Sequence, residues 1–210
     1  MSYTVKEIFL TLQGEGIQSG RVAIFCRFSG CNLWSGRESD RATAACRFCD
    51  TNFVGSDGDQ GGRYATAAAL VAVISALWGT RSGERLVVCT GGEPLLQLDR
   101  ELIDALHQAR FAVAVETNGT VAAPAGIDWL CVSPKGRAPL VIERGDELKL
   151  VYPQPDAPPE QFIDLPFRYH TLQPLDDANQ RANIAATIAY CLDHPRWRLG
   201  LQSHKMIGIR

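Results

Sequence analysis

The sequence has little of what membrane, secreted and nucleic-acid-binding proteins share. Its longest apolar stretch, residues 65–78, is shorter than the roughly 20 residues that a membrane span requires, and Thr66 and Ser75 interrupt it. The first residues contain no apolar core of the kind found in signal peptides. A formal net charge of −2 leaves no basic excess for nucleic acid. These absences predict a cytoplasmic protein that binds neither a membrane nor nucleic acid.

Internal repeats, low-complexity tracts and compositional breaks are also missing. The hydrophobic content of 46% and the charged content of 21% are typical of globular proteins. A chain of 210 residues is long enough to bury a core of its own. We therefore predict one domain over residues 1–210.

Short β-rich segments alternate with amphipathic helical segments along the chain. Strands are predicted at 5–10, 22–28, 85–89, 111–115, 129–132, 147–152, 168–172 and 197–201, and helices after Thr66, at 97–109 and at 177–193. This alternation favours an α/β fold with mostly parallel strands. A complete eight-unit barrel needs about 250 residues, and several connections here are too short or too rich in proline for helices. The expected architecture is a partial, trimmed (β/α) barrel.

The seven cysteines fall into two groups. Four of them lie inside apolar runs and are predicted to be buried thiols: Cys26, Cys89, Cys131 and Cys191. The other three, Cys31, Cys46 and Cys49, lie among glycine and polar residues, where metal ligands belong. Three thiolates suit a 4Fe–4S cluster that leaves one iron free, whereas a structural zinc site normally has four protein donors. The Cys46-x-x-Cys49 pair alone is weak evidence, because zinc ribbons and redox motifs share it.

Polar residues follow the predicted strands at their carboxyl ends, where parallel α/β proteins bind ligands. The candidates are Gln13, Gly14 and Glu15, then Arg27, then Thr90 with Gly91-Gly92-Glu93-Pro94, then Glu116 to Gly119, then Ser133-Pro134-Lys135, and finally Gln173. Taken singly, the Gly91-Gly92 and Asn118-Gly119 pairs are more often simple turns. Their coincidence with the three-cysteine loop favours one site.

Together these motifs resemble the radical S-adenosylmethionine superfamily, in which Gly91-Gly92-Glu93-Pro94 matches the glycine motif near the methionine amino group. The cysteine loop differs, because 14 residues separate Cys31 from Cys46 where the superfamily usually has only a few. The expanded loop at about 31–49, the opening segment 11–16 and Cys49-Asp50-Thr51 resemble the 7-carboxy-7-deazaguanine synthase family of queuosine biosynthesis. This resemblance extends from Phe9 to the C-terminus.

The resemblance implies a lyase that rearranges 6-carboxy-5,6,7,8-tetrahydropterin to 7-carboxy-7-deazaguanine with loss of ammonia. Its cofactors would be a 4Fe–4S cluster, S-adenosylmethionine and Mg²⁺. A 5′-deoxyadenosyl radical would abstract the C6 hydrogen of the substrate, so that no side chain is assigned as catalytic acid or base. The family also implies a homodimer and an electron donor such as flavodoxin or ferredoxin.

Site roles follow from the matched positions. Cys31, Cys46 and Cys49 would bind the cluster, and Thr51 would bind Mg²⁺, although a threonine there could instead cap a helix. The pterin would be bound by Leu12, Gln13, Gly14, Glu15, Arg27, Thr90, His204 and Arg210. S-adenosylmethionine would be bound by Phe48, Cys49, Asp50, Gly92, Glu116, Asn118, Ser133, Pro134, Lys135 and Gln173.

Three alternatives stay open at this point. Arg27 shares a strand face with Ala23 and Phe25, and could form an internal salt bridge, for example to Glu15, instead of binding the substrate carboxylate. The chain could also be another radical S-adenosylmethionine enzyme, such as a glycyl-radical-activating enzyme. Finally, it could be a metal-binding scaffold without catalysis, which would require a fourth donor.

Overall fold

The computed structural model describes residues 2–210. Within this range nine strands form one sheet: β1 (Tyr3–Leu12), β2 (Val22–Phe28), β3 (Gly62–Tyr64), β4 (Arg85–Gly91), β5 (Phe111–Thr117), β6 (Trp129–Val132), β7 (Gly145–Tyr152), β8 (Phe167–Pro174) and β9 (Trp197–Leu199). The helices are α1 (Ala67–Trp78), α2 (Arg100–Gln108), α3 (Gln180–Asp193) and α4 (Ser203–Ile207), with 3₁₀ turns at Glu38–Thr43, Pro94–Leu96 and Pro159–Gln161.

The strand order is β3-β1-β2-β4-β5-β6-β7-β8-β9. Strand β1 pairs antiparallel with β2 and β3, and every neighbouring pair from β2 to β9 is parallel. Strands β3 and β9 form the two edges, so the sheet does not close on itself. The predicted α/β fold with a partial, mostly parallel barrel is confirmed.

Successive side chains of each strand point to opposite faces of the sheet, one covered by helices and the other open. Cys26, Val87 and Val113 belong to the large core under α1 and α2. On the other face, Ala23, Val88 and Ala114 form a small cluster of short side chains. Among residues 2–210 no helix residue belongs to that second cluster, so the polar strand ends on this face are available for a site.

The ends of two helices differ from the prediction. Helix α2 begins at Arg100 rather than at residue 97, because Pro94–Leu96 forms a 3₁₀ turn and the Asp99 side chain caps the helix at the Leu102 amide. Helix α3 begins at Gln180 rather than at residue 177. The Thr66 cap of α1 is confirmed, since its side chain accepts a hydrogen bond from the Ala69 amide.

Helix α3 does not bury the apolar face that the spacing of Ile184, Ile188, Cys191 and Leu192 predicts. Asn183 and Thr187 are its buried residues, whereas Ile188 and Leu192 are 41% and 77% exposed. Cys191 is likewise only half-buried, so the prediction of four buried thiols holds for Cys26, Cys89 and Cys131 and is wrong for Cys191. Amide and hydroxyl hydrogen bonds from Asn183 to Leu175 and from Thr187 to Asn183 replace the expected apolar packing.

Two further segments depart from their predicted form. Strand β3 is not among the predicted strands; it follows the glycine-rich segment 55–61 and pairs with the first residues of β1. The strand predicted at 197–201 ends at Leu199, and α4 follows it. No helix in residues 2–210 has the length and apolar character of a membrane span.

Candidate active site

A cavity of about 510 Å³ lies at the carboxyl ends of the parallel strands. Its wall includes these predicted site residues: Leu12, Gln13, Gly14, Glu15, Arg27, Cys31, Cys46, Phe48, Cys49, Asp50, Thr51, Thr90, Gly92, Glu116, Asn118, Ser133, Lys135, Gln173, His204 and Arg210. Pro134, by contrast, is not part of the wall; its carbonyl accepts a hydrogen bond from Gln154 at 3.4 Å. The structure therefore gathers nearly all predicted ligand-binding residues around one space.

The three cysteines all line this cavity. Cys46 is buried, and Cys31 and Cys49 are half-buried. A hydrogen bond from the Cys46 thiol lowers the pKa of Cys49, while burial raises the pKa of Cys31. Among residues 2–210 there is no group of three or more His, Cys, Asp or Glu side chains suited to a single ion. A 4Fe–4S cluster does not require its ligands to surround a single ion, because each thiolate binds a different iron.

The 14 residues between Cys31 and Cys46 fold back onto the Cys46–Cys49 turn. Its 3₁₀ turn, Glu38–Thr43, carries Arg41, whose guanidinium stacks on Trp34 at 4.0 Å from the ring centre. The same guanidinium donates to the carbonyls of Arg47 at 3.0 Å and of Cys49 at 3.1 Å. Arg41 therefore fixes the inserted loop against the last two cysteines.

The turn after β4 brings two backbone segments into contact. A Cβ at Gly92 would overlap the carbonyl oxygen of Gly30, so only glycine allows this approach. Glu93 is fully buried, and its carboxylate accepts from Thr117 Oγ1 at 2.7 Å and from the Asn118 amide at 2.8 Å. Burial raises the pKa of Glu93. The glycine turn thus joins the cysteine loop to the end of β5.

A network of polar side chains forms another part of the cavity wall. Gln13 donates to Glu116 Oε1 at 2.9 Å, and Thr90 lies 3.4 Å from the other oxygen of that carboxylate. Glu15 accepts from Lys149 at 2.5 Å. Glu116, predicted to contact S-adenosylmethionine, therefore lies among the residues predicted to bind the pterin.

Arg27 lines the cavity from β2, as its strand phase predicts. Its Nε donates to Glu7 Oε1 at 2.8 Å, and both side chains are mostly buried. The idea of a salt bridge to Glu15 is wrong, because Glu15 is paired with Lys149 and Glu7 faces Arg27 across the β1–β2 pairing. The terminal guanidinium nitrogens are not used in that ion pair.

Helix α4 and the residues after it form one rim of the cavity. The Ser203 amide donates to the Gly14 carbonyl at 2.9 Å, which places His204 directly against Gly14. Lys205 bridges Asp50 at 2.5 Å and Asp176 at 2.6 Å. The Arg210 guanidinium pairs with Glu7 and Asp59 and lies over the Phe9 ring. Both C-terminal residues predicted for the pterin thus line the cavity.

The ends of β6 and β8 form a third part of the wall. Lys135 donates to Ser133 at 2.5 Å and lies 5.7 Å from the Phe48 ring centre. Gln173 is buried, and its Oε1 has no hydrogen-bond partner among residues 2–210. A buried amide oxygen without a partner is costly, so this atom is suited to a polar ligand in the cavity.

Comparison with known proteins places these features in a family. The chain is 63% identical to 7-carboxy-7-deazaguanine synthase of Bordetella pertussis over 209 residues, and 61% identical to that of Caulobacter vibrioides over 209 residues, covering 100% of each protein. The chain belongs to the 7-carboxy-7-deazaguanine synthase family. The crystal structure of QueE from Escherichia coli superposes with a TM-score of 0.72 at 29% identity, covering 97% of this chain and 95% of that one. No family model matches the chain.

Several residues of this synthase-family cavity were missed by sequence reasoning. Glu7, Lys149, Asp176, Gln202 and Lys205 line it together with the predicted residues. Lys149 had a recognisable signal, since a lysine inside the apolar run Leu148-Lys149-Leu150 needs a buried partner. The others sit in segments without a recognisable pattern and reach the cavity only through the tertiary fold.

Proposed function

We propose that this chain converts 6-carboxy-5,6,7,8-tetrahydropterin to 7-carboxy-7-deazaguanine with loss of ammonia, as a radical S-adenosylmethionine enzyme of queuosine biosynthesis. Full-length identity of 63% to a named synthase supports the overall reaction. The observation that carries the proposal is one cavity whose wall combines the three loop cysteines with the Gln13–Glu15 segment. A cluster-based radical source and a small polar substrate could then share a single space.

The donor set fits a 4Fe–4S cluster bound by Cys31, Cys46 and Cys49. Three thiolates leave one iron without a protein ligand, and Gly92 provides close backbone access beside the Cys31 loop. When bound there, the cluster would supply the electron that cleaves S-adenosylmethionine reductively. The cysteine loop would hold this chemistry away from solvent, because Cys46 and the neighbouring Phe53 are buried.

Residues at the ends of β5, β6 and β8 would hold S-adenosylmethionine. Ser133 and Lys135 would orient its polar groups, and the unpartnered Gln173 Oε1 would accept one hydrogen bond from it. Phe48 would face the adenine, while Gly92 and Asn118 would approach the methionyl and ribose parts. Asp50 is fixed at the rim by Lys205.

The part of the wall that contains this polar network would bind the pterin. Gln13, Gly14 and Glu15 would face its amide and amino groups, with Thr90 and His204 beside them. Arg27 would bind the substrate carboxylate through its terminal nitrogens, while Glu7 holds its Nε. Arg210 would flank the same side, because it shares Glu7 with Arg27.

Thr51 would contribute a hydroxyl oxygen to Mg²⁺. Magnesium prefers oxygen ligands and commonly keeps few from the protein, so one hydroxyl and the substrate suffice. In the structure the hydroxyl lies 3.5 Å from Asp50 Oδ1, and both residues line the cavity beside Cys49. The threonine does not begin a helix, since residues 50–53 form no regular element.

We also propose a homodimer and a flavodoxin-like or ferredoxin-like electron donor, both from the family. Exposed apolar side chains at Ile188, Leu192 and Leu199 offer surface that a second copy could cover. Light scattering tests the dimer directly. A mass equal to one chain at working concentration would contradict it.

The two alternative functions have less support. A zinc scaffold would need four donors around one ion, and residues 2–210 contain no group of even three His, Cys, Asp or Glu side chains that could hold a single ion. A glycyl-radical-activating enzyme acts on a protein, whereas this cavity of about 510 Å³ is the size of a small-molecule site. Metal analysis after anaerobic reconstitution distinguishes the enzyme, which would bind iron, from the scaffold, which would bind zinc.

The direct test is an anaerobic reaction of reconstituted protein with reductant, S-adenosylmethionine, Mg²⁺ and 6-carboxy-5,6,7,8-tetrahydropterin, followed by mass spectrometry. We expect a product lighter by the mass of ammonia, with S-adenosylmethionine largely unconsumed. Formation of 5′-deoxyadenosine without that product would contradict the proposed substrate, but it would still support radical chemistry.

A further inference from the structure

A buried lysine lies beneath the residues proposed to recognise the pterin. Lys149 comes from the middle of β7, and its side chain is 7% exposed. Its Nζ is 2.5 Å from Glu15 Oε2 and 3.5 Å from Glu116 Oε1. The resemblance to the family did not single out this residue, yet it contacts two of the carboxylates in the cavity wall.

The carboxylates around Lys149 favour its protonated form, and Lys149 in turn favours the ionised form of Glu15. Groups facing it are Glu15 from the loop after β1, Glu116 from β5, Cys131 from β6 and Glu147 from β7 itself. Burial lowers the pKa of Lys149, but the carboxylates outweigh this and hold that pKa well above its usual range. Burial likewise pushes the Glu15 pKa upward, and Lys149, Gln202 and His204 together bring it below the usual value.

Strand β7 also anchors the backbone of the same loop. Alternation places Glu147 and Lys149 on one face of the strand. The Glu147 carboxylate accepts from the Ile17 amide at 3.0 Å and from Thr171 Oγ1 at 2.7 Å. Glu147 thus holds the loop at Ile17, and Lys149 holds it at Glu15.

The bonds to Glu15 leave acceptor capacity toward the cavity. Lys149 uses one position on Oε2, and Gln202 Nε2 uses one on Oε1 at 2.8 Å. Each carboxylate oxygen can accept two hydrogen bonds, so one position on each oxygen stays free. A carboxylate with both oxygens available matches two adjacent N–H donors, such as those on the aminopyrimidinone edge of a pterin.

We propose that Lys149 is a positioning residue for pterin recognition, which keeps Glu15 ionised and fixed as a two-point acceptor for the aminopyrimidinone edge. This inference rests on the proposed function, since it assigns the pterin to the same cavity. Lys149 itself need not touch the substrate. Its effect passes through Glu15, and a neutral side chain of similar length would fill the space without supplying the charge.

The test compares three forms of the full-length reconstituted protein: wild type, Lys149→Met, and the double variant Lys149→Met with Glu15→Gln. Affinity for 6-carboxy-5,6,7,8-tetrahydropterin is measured by anaerobic calorimetry between pH 5.5 and 8, a range chosen to bracket a raised carboxyl pKa. In parallel, the Glu15 carboxyl pKa is measured by ¹³C NMR without substrate. Iron per chain and thermal unfolding serve as controls for an assembled site.

We expect Lys149→Met to weaken pterin binding about thirtyfold at pH 7, as for loss of one partner of a buried charge pair. Affinity in this variant should fall further as pH decreases, because the buried Glu15 carboxyl would take up a proton. The double variant should bind weakly without this added pH dependence, since the side-chain amide introduced by Glu15→Gln cannot titrate.

Two results would overturn the inference. The first is an unchanged Glu15 pKa in Lys149→Met by NMR, which needs no substrate and therefore stands even if the proposed function fails. The second is a new pH dependence that persists in the double variant, which would show that a group other than Glu15 titrates. Absence of pterin binding by wild type would instead contradict the proposed function.

Discussion

The His204 side chain occupies the space directly above the Cα of Gly14, so that a Cβ at position 14 would lie 2.6 Å from His204 Cβ. The two residues are also joined through the Ser203 amide, which donates to the Gly14 carbonyl. Glycine at position 14 is therefore required by helix α4 rather than by its own backbone angles. This contact couples the loop after β1 to the C-terminal rim of the cavity.

Gly14→Ala should displace His204 and raise the KM for the pterin roughly tenfold, since overpacking a tight site costs about 1–3 kcal/mol. Gly62→Ala is the matched control, because a Cβ at Gly62 meets no atom within 4 Å. Steady-state kinetics of both variants check this. Equal KM values for Gly14→Ala and Gly62→Ala would show that the His204 contact is unimportant.

The cysteines should respond to alanine substitution according to their surroundings. Cys49→Ala should abolish iron binding and activity, because loss of one thiolate leaves two of the cluster irons without a protein ligand. Cys89 is buried in the core between β2 and β5, and Cys89→Ala should cost only about 1 kcal/mol of stability. Iron analysis and the visible absorbance of the cluster measure the difference. A normal cluster in Cys49→Ala, or loss of the cluster in Cys89→Ala, would contradict the assignment of Cys49 as a cluster ligand and Cys89 as a core residue.

Lys205→Met should loosen the rim, because Lys205 links Asp50 near the cysteine turn with Asp176 after the end of β8. We expect S-adenosylmethionine to bind several-fold more weakly, in line with roughly 1 kcal/mol for a half-buried ion pair. Arg100→Met removes an exposed pair with Asp104 on α2 and should leave affinity unchanged. The affinity of both variants for S-adenosylmethionine is measured at low and high salt. A similar loss of affinity in both would argue against a specific role for the Lys205 ion pairs.

His170 predicts a pH dependence of stability away from the cavity. It is 7% exposed, packs edge-on against Phe167 and Trp197, and burial lowers its pKa. The unfolded chain therefore binds this proton more tightly, so the free energy of unfolding should fall as pH drops below about 6.5. Urea unfolding at several pH values measures the slope. His170→Phe should reduce that slope, and an unchanged slope would assign it to other groups.

Much of the fold could be predicted because its signals are local. The strand cores, the Thr66 cap and the strand-end placement of Arg27 and Gln173 follow from alternation and capping chemistry. The buried side of α3 could not be predicted from the sequence, because Asn183 and Thr187 are buried by hydrogen bonds that depend on the tertiary fold. Pairings such as Arg27 with Glu7 or Lys149 with Glu15 are likewise set by strand neighbours distant in sequence.

The measurement that tests the account most directly uses substrate deuterated at C6, turned over anaerobically by the reconstituted wild-type protein. We expect 7-carboxy-7-deazaguanine to form and deuterium to appear in the reisolated S-adenosylmethionine, since the C6 hydrogen is the one to be abstracted. Product formation with no deuterium in S-adenosylmethionine would contradict the radical mechanism. No product at all from protein with a full complement of iron would contradict the assigned reaction.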